Sequence, residues 1–145
     1  MNMTREYVSR QLGYCFLCPS YLELALTHSS YSRTNNERLE FLGDSILNMV
    51  VAEWLYLRSE GTEGQMAQAR AKVVCTDNLY RTAIRLGVGP MLTMGNSELA
   101  SGGRDKVRIL ANALEAIIGA IYLDTNKGYD HARNFIAREL IPYAK

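Results

Sequence analysis

Residues 107–123, VRILANALEAIIGAIYL, contain almost nothing but aliphatic and small side chains. A helix of that composition has no face to give to water, so it is stable only when other elements wrap it. The stretch is therefore expected to be a central helix, and the rest of the chain must supply the layer around it. Elsewhere apolar residues recur at spacings of three and four, with no sustained period-two alternation. The expected fold class is all-α in a single helical domain. At 145 residues, 48% of them hydrophobic, the chain is large enough for a real core.

The helix boundaries are written in cap and turn residues. TREYVSRQL reads as a short helix stopped by Gly13, and Pro19 suits the first turn of a second, PSYLELALTH. A long third helix begins after Asn35 or Asn36, either a good N-cap, and runs to about Leu57. After the turn RSEGTEG, Thr62 and Gln65 have capping-box spacing. They open a helical stretch ending near Gly87, with a break around Thr76 and Asp77. GVGPMLTMGNSELASGGRDK is expected to be a loop-rich connector, followed by the central helix and a last one, YDHARNFIAREL, before Pro142.

Sixteen basic and fifteen acidic residues give a net charge of +1, so bulk charge points to neither a nucleic-acid partner nor an acidic shell. No apolar run approaches the roughly 18 residues of a membrane span, and MNMTREYVSR is no signal peptide. A soluble, cytoplasmic chain is expected. Cys15 and Cys18 form a C-x-x-C, but a structural zinc needs about four ligands and only Cys75, His28 and His131 remain to complete one. A redox pair would normally open a helix after a strand, and no strand is expected. Free thiols in a reducing compartment are the simpler reading.

The segment NNERLEFLGDS poses an electrostatic problem. Glu37, Glu40 and Asp44 stand within eight residues, at spacings where like charges on a helix repel by a few tenths of a kcal/mol per pair. On a helical wheel with Glu37 at zero, Glu40 falls near ~300° and Asp44 near ~340°. Leu39, Leu42, Ile46, Met49 and Val50 fall between roughly 120° and 220°, which puts the aliphatic face opposite the acids. Leu55 lies on the acidic stripe and Phe41 and Leu47 flank it, so that side is not simply solvated. Phe41 is a candidate for burial against something outside the monomer's own core.

In the central helix, Asn112 and Glu115 share one face and are almost its only polar interior positions. A buried Glu is costly unless it is paired or bound to a metal. Arg104 or Arg108 could pair with it. Alternatively Glu40, Asp44, Asn112 and Glu115 form an all-oxygen set suited to a hard cation such as Mg²⁺.

NERLEFLGDSIL closely resembles the signature of the ribonuclease III endonuclease domain. LGYCFLCPSYLELALTHSS resembles that family's opening helices, EGQMAQARAKVV its next element, and SGGRDKVRILANALEAIIGAIYLD its last core segment. The resemblance covers nearly the whole chain in order, and implies one endonuclease domain over residues 1–145. It also implies a homodimer, with no membrane partner and no organic cofactor, that binds double-stranded RNA in a valley between subunits. Both strands would be cut with Mg²⁺, or Mn²⁺ as a substitute, to 5′-phosphate and 3′-hydroxyl ends, in rRNA and mRNA processing.

Carried over by position, the resemblance makes Glu40 a metal ligand, Asp44 a catalytic carboxylate, and Glu115 both. It places Glu37 and Glu63 at the edge of the site as substrate or second-shell acids, although Glu63 equally suits charge compensation at a helix N-terminus. Phe41 matches an aromatic that packs into the partner subunit. His28 matches a family histidine, for which a hydrogen-bonded packing role is the simpler reading. Arg70, Lys72, Arg104 and Lys106 are candidate phosphate contacts.

Two departures stand out. Asn112 occupies a ligand position where the family usually has Asp, so the set carries one negative charge fewer. The family's separate double-stranded-RNA-binding domain has no counterpart in this chain, as expected of an excised catalytic domain or a short relative. An active double-strand-specific endoribonuclease is the first expectation. A double-stranded-RNA-binding dimer with weakened metal chemistry is the alternative.

Overall fold

The computed structural model describes residues 3–145. Within them, Thr4 caps α1 (Arg5–Leu12) by accepting the Tyr7 N–H, and Gly13 ends it at φ 64°, a conformation suited to glycine. Helix α2 (Pro19–Ala25) has proline in its first turn as expected, but stops three residues before His28. Its continuation is captured elsewhere. Thr93 N–H donates to the Leu26 carbonyl at 2.8 Å and His28 N–H to the Thr93 carbonyl at 3.0 Å, an isolated parallel bridge.

Helix α3 (Glu37–Arg58) divides the work of its two asparagines. Asn35 accepts the Glu37 N–H at 3.0 Å, while the buried Asn36 amide donates to the Ala25 carbonyl at 3.1 Å and ties α2 to α3. Thr62 and Gln65 form the full capping box on α4 (Glu63–Val74). Extended Cys75 separates α4 from α5 (Thr76–Leu86), which ends at Gly87 with φ 72°.

The connector is more ordered than a loop-rich reading allows. It holds α6 (Val88–Met91), α7 (Asn96–Ala100) and a 3-10 turn at Gly103–Asp105. Two causes are visible. Val88, Met91, Leu92 and Met94 join the core, and Arg104 donates from one nitrogen to the carbonyls of Gly89 and Leu92 at 2.8 and 2.6 Å.

Helix α8 (Val107–Asp124) is the centre of the molecule, touching α2, α3, α5 and α9 (Gly128–Glu139). From Leu110 to Ile121 every residue is buried except Asn112, which is half-buried. The approach of α3 to α8 depends on two glycines. A Cβ at Gly43 would lie 1.7 Å from the Glu115 carbonyl oxygen, and one at Gly119 would lie 2.5 Å from that of Leu39. The backbones meet where no side chain fits between them.

This crossing corrects the wheel. Leu39, Gly43, Ile46, Leu47, Val50 and Val51 are buried, whereas Met49 is 62% exposed. The inward face is therefore centred on Gly43, at ~240° rather than ~170°. Glu40 falls inside that face and Asp44 on its edge. The acids border the core instead of opposing it.

All three thiols are free and exposed. The C-x-x-C loop is held by Asp124, which accepts from Tyr14 Oη at 2.6 Å, Leu17 N–H at 2.8 Å and Cys18 N–H at 2.7 Å. Its geometry is thus set by a carboxylate.

Candidate functional site

Because α3 and α8 touch at Gly43, the side chains flanking that glycine are carried toward Glu115 on α8. Glu115 is buried to 9% exposure, Glu40 is half-buried, and Asp44 is exposed at the mouth. Burial first, then a hydrogen bond to Asp44 and the charges of Asp44 and Glu40, push the Glu115 carboxyl up to about 8. Glu40 is raised as well, chiefly by burial and then by Glu37 and Asp44, with Arg108 acting against them. Carboxyl groups from two helices therefore share one partly dry space, where burial and neighbouring charge disfavour the ionised forms of Glu115 and Glu40.

No ion pair relieves Glu115 among the described residues. Arg104, one expected partner, is committed to Gly89 and Leu92. Arg108 acts on Glu40. Asn112 lies on the same face of α8, between Arg108 and Glu115. The amides of Asn36 and Asn78 are tied to main-chain carbonyls, whereas the Asn112 side chain has no hydrogen-bond partner among the described residues.

The donor chemistry is all oxygen, as a hard cation requires. Among the described residues, no group of three His, Cys, Asp or Glu side chains is arranged to hold a metal ion. Mg²⁺ does not need such an enclosure, since it keeps several waters and binds through one or two carboxylates together with substrate phosphates. Two buried-edge carboxylates beside an unpartnered amide oxygen fit that mode.

The remaining sequence candidates divide. Glu37, exposed in the first turn of α3, acts on Glu40 and belongs to the rim. Glu63 is exposed in the first turn of α4, lining a groove of about 490 Å³ with Met49, Tyr56, Met66 and Arg70. It is not among the groups that act on Glu40 or Glu115. His28 accepts the Ser30 N–H at 3.1 Å and shares a hydrogen bond with the Ser30 hydroxyl, as a packing residue does. Lys106 pairs at the surface with Glu98 and Ser101, and Arg104 donates to main-chain carbonyls. Phe41 is 80% exposed.

Sequence reasoning missed two features. Gly43 and Gly119 carry the site because they let α3 and α8 approach, and the available signal was a glycine in each of two otherwise bulky apolar helices. Arg108 was read only as a partner for Glu115. Its spacing of four from Asn112 and seven from Glu115 was the signal for its true neighbourhood.

The family model described as Ribonuclease-III-like matches residues 19–144. A relative named Ribonuclease 3 from Dechloromonas aromatica is 43% identical over 97% of this chain and 63% of its own length. Another of the same name, from Pseudomonas aeruginosa, is 47% identical over 98% of this chain and 62% of its own length. The chain thus spans about three-fifths of the relatives it matches. Among solved structures, a nuclease domain of ribonuclease III from Campylobacter jejuni superposes with a TM-score of 0.88 at 39% identity, covering 97% of this chain and 98% of that one. That structure is described as flexible in a region involved in dimer formation. Likeness of this extent in both sequence and helix packing makes the chain a member of the ribonuclease-III-like family.

Proposed function

We propose that this chain is the catalytic domain, over residues 1–145, of a cytoplasmic Mg²⁺-dependent endoribonuclease that cuts double-stranded RNA as a homodimer. The observation that carries this reading is the convergence of Glu40, Asp44 and Glu115 without a paired cation. An arrangement so costly in the free protein is the kind that active sites maintain. Glu40 and Glu115 would hold the ion with the Asn112 amide oxygen, Mn²⁺ serving as a substitute. When bound, the ion supplies Lewis-acid polarisation of the scissile phosphate and a more acidic water. Glu115 would hold the ion as a carboxylate, the cation's charge offsetting the cost of burying it. Asp44, exposed beside it, orients the attacking water and accepts its proton. Attack in line on phosphorus breaks the bond to the 3′ oxygen, leaving a 3′-hydroxyl and a 5′-phosphate. Glu37, exposed at the rim, would accept a hydrogen bond from a substrate 2′-hydroxyl. Duplex RNA offers shape, 2′-hydroxyls and phosphates rather than base edges, so little sequence preference follows. Processing of rRNA and mRNA precursors is the role that such specificity suits.

Dimerisation is supported by the outer face of α3. Phe41, Met49 and Tyr56 are 80%, 62% and 76% exposed. They fall between ~40° and ~120° on the wheel, directly opposite the Gly43 face. Large apolar side chains aligned in that way mark an interface, and a two-fold pairing gives one site per strand of a duplex. A cleavage assay on long duplex RNA with Mg²⁺ tests the proposal. Mg²⁺-dependent cuts on both strands support it, and absence of cleavage at any Mg²⁺ concentration refutes it. Asn112 favours a second reading, a duplex-RNA-binding dimer whose metal site lacks one charge. Binding without cleavage would establish that one.

A further inference from the structure

We propose that Arg108 is a positioning residue that grips a backbone phosphate of the duplex beside the acidic cluster. The inference rests on the duplex-RNA reading above. The segment RDKVR supplies three cations at the start of α8. Two have partners within the protein: Arg104 the carbonyls of Gly89 and Leu92, and Lys106 the side chains of Glu98 and Ser101. Arg108 is exposed and forms no ion pair among the described residues. It stands in the first turn of α8, where a cation opposes the helix dipole and no acidic residue of that turn offsets it. Local stability therefore does not explain it.

Its position does. Arg108, Asn112 and Glu115 follow one another at four and three residues, so one face of α8 presents a guanidinium, an amide and a carboxyl in sequence toward the acids of α3. Arg108 is the cation that acts on Glu40, two helical turns from Glu115. A guanidinium recognises phosphate through paired donors. At the rim of a negatively charged cluster, it offers a polyanion a point of attachment without occupying the ligand positions. The strand is then fixed next to the carboxyl groups rather than repelled by them.

The test uses the full chain and a short RNA duplex, with binding followed by fluorescence anisotropy in EDTA across a salt series. Loss of one phosphate contact should make the slope of log K against log salt shallower by about 0.9, or about 1.8 when a dimer loses two. Arg108→Ala should show that change. In Mg²⁺ it should raise KM on the order of tenfold with kcat within about twofold, and Arg108→Lys should restore most of the slope because the charge remains. An unchanged slope and KM in Arg108→Ala would overturn the assignment. So would an unchanged slope with a lower Mg²⁺ midpoint, which would make Arg108 only a counter-charge to Glu40. If the wild type fails to bind duplex RNA at all, the functional proposal fails and takes this one with it.

Discussion

Replacing Glu115 by Gln tests the acidic cluster without removing a side chain's volume. The native carboxyl keeps its proton to about pH 8, whereas the unfolded chain releases it near the ordinary value. Between those limits the unfolded state binds fewer protons, so stability falls as pH rises. The full effect of one such group is about 1.4 kcal/mol per pH unit. Solvent access at the mouth of the cluster screens and reduces it, leaving about 2 kcal/mol between pH 5 and 8. In a chain of this size that corresponds to a fall in Tm of roughly 4–8 °C. Glu115→Gln should melt higher than the wild type at pH 8, and the gap should shrink toward pH 5. Asp124 and Glu139 do not confuse the measurement. Burial opposes their ionisation, but hydrogen bonds hold both carboxyls below their ordinary values, so their stability is lost only at lower pH. Mg²⁺ at a hundredfold excess over its Kd should stabilise the wild type by about 2.7 kcal/mol and the variant by less, and the variant should not cleave RNA. Thermal melts at pH 5, 6.5 and 8, with and without Mg²⁺, decide the matter. Parallel pH profiles together with equal Mg²⁺ shifts would refute the reasoning.

Phe41→Ala should weaken the proposed dimer by about 2 kcal/mol, roughly thirtyfold in Kd, by removing a large apolar anchor. Sedimentation equilibrium measures it, and a wild type that is monomeric at all concentrations would exclude the dimer. Asn112→Asp should lower the Mg²⁺ midpoint of cleavage about fivefold, the equivalent of ~1 kcal/mol for a restored charge near the ion. Its metal-free fold should be less stable. An unchanged midpoint with a weaker fold would remove Asn112 from the ligand set. Gly43→Ala must push α8 away from α3, since the added carbon meets the Glu115 carbonyl at 1.7 Å. A loss of about 3 kcal/mol and a reduced Mg²⁺ shift are expected, and a melt matching the wild type would disprove the close crossing.

Local rules settled much of this molecule before any tertiary contact was known. Gly13 ends α1, the Thr62–Gln65 box opens α4, and a break near Thr76 separates α4 from α5, because caps and left-handed glycines act over a few residues. The mostly aliphatic run at 107–123 required a central helix, and it is one. Asn112 and Glu115 could be placed on one face by spacing alone. Tertiary structure decided the rest. Residues 26–28 leave α2 because Thr93, distant in sequence, takes their backbone groups. The connector coils into short helices because Arg104 and four buried apolar side chains fold it back. The inward face of α3 was misjudged by about 70° because a wheel weighs side chains, and the residue that fixes this face has none. Closest approach between helices occurs where atoms are missing, so Gly43 sets the rotation that carries Glu40 and Asp44 to Glu115. Spacing could order those acids along one helix, but only the packing of two helices brings them together.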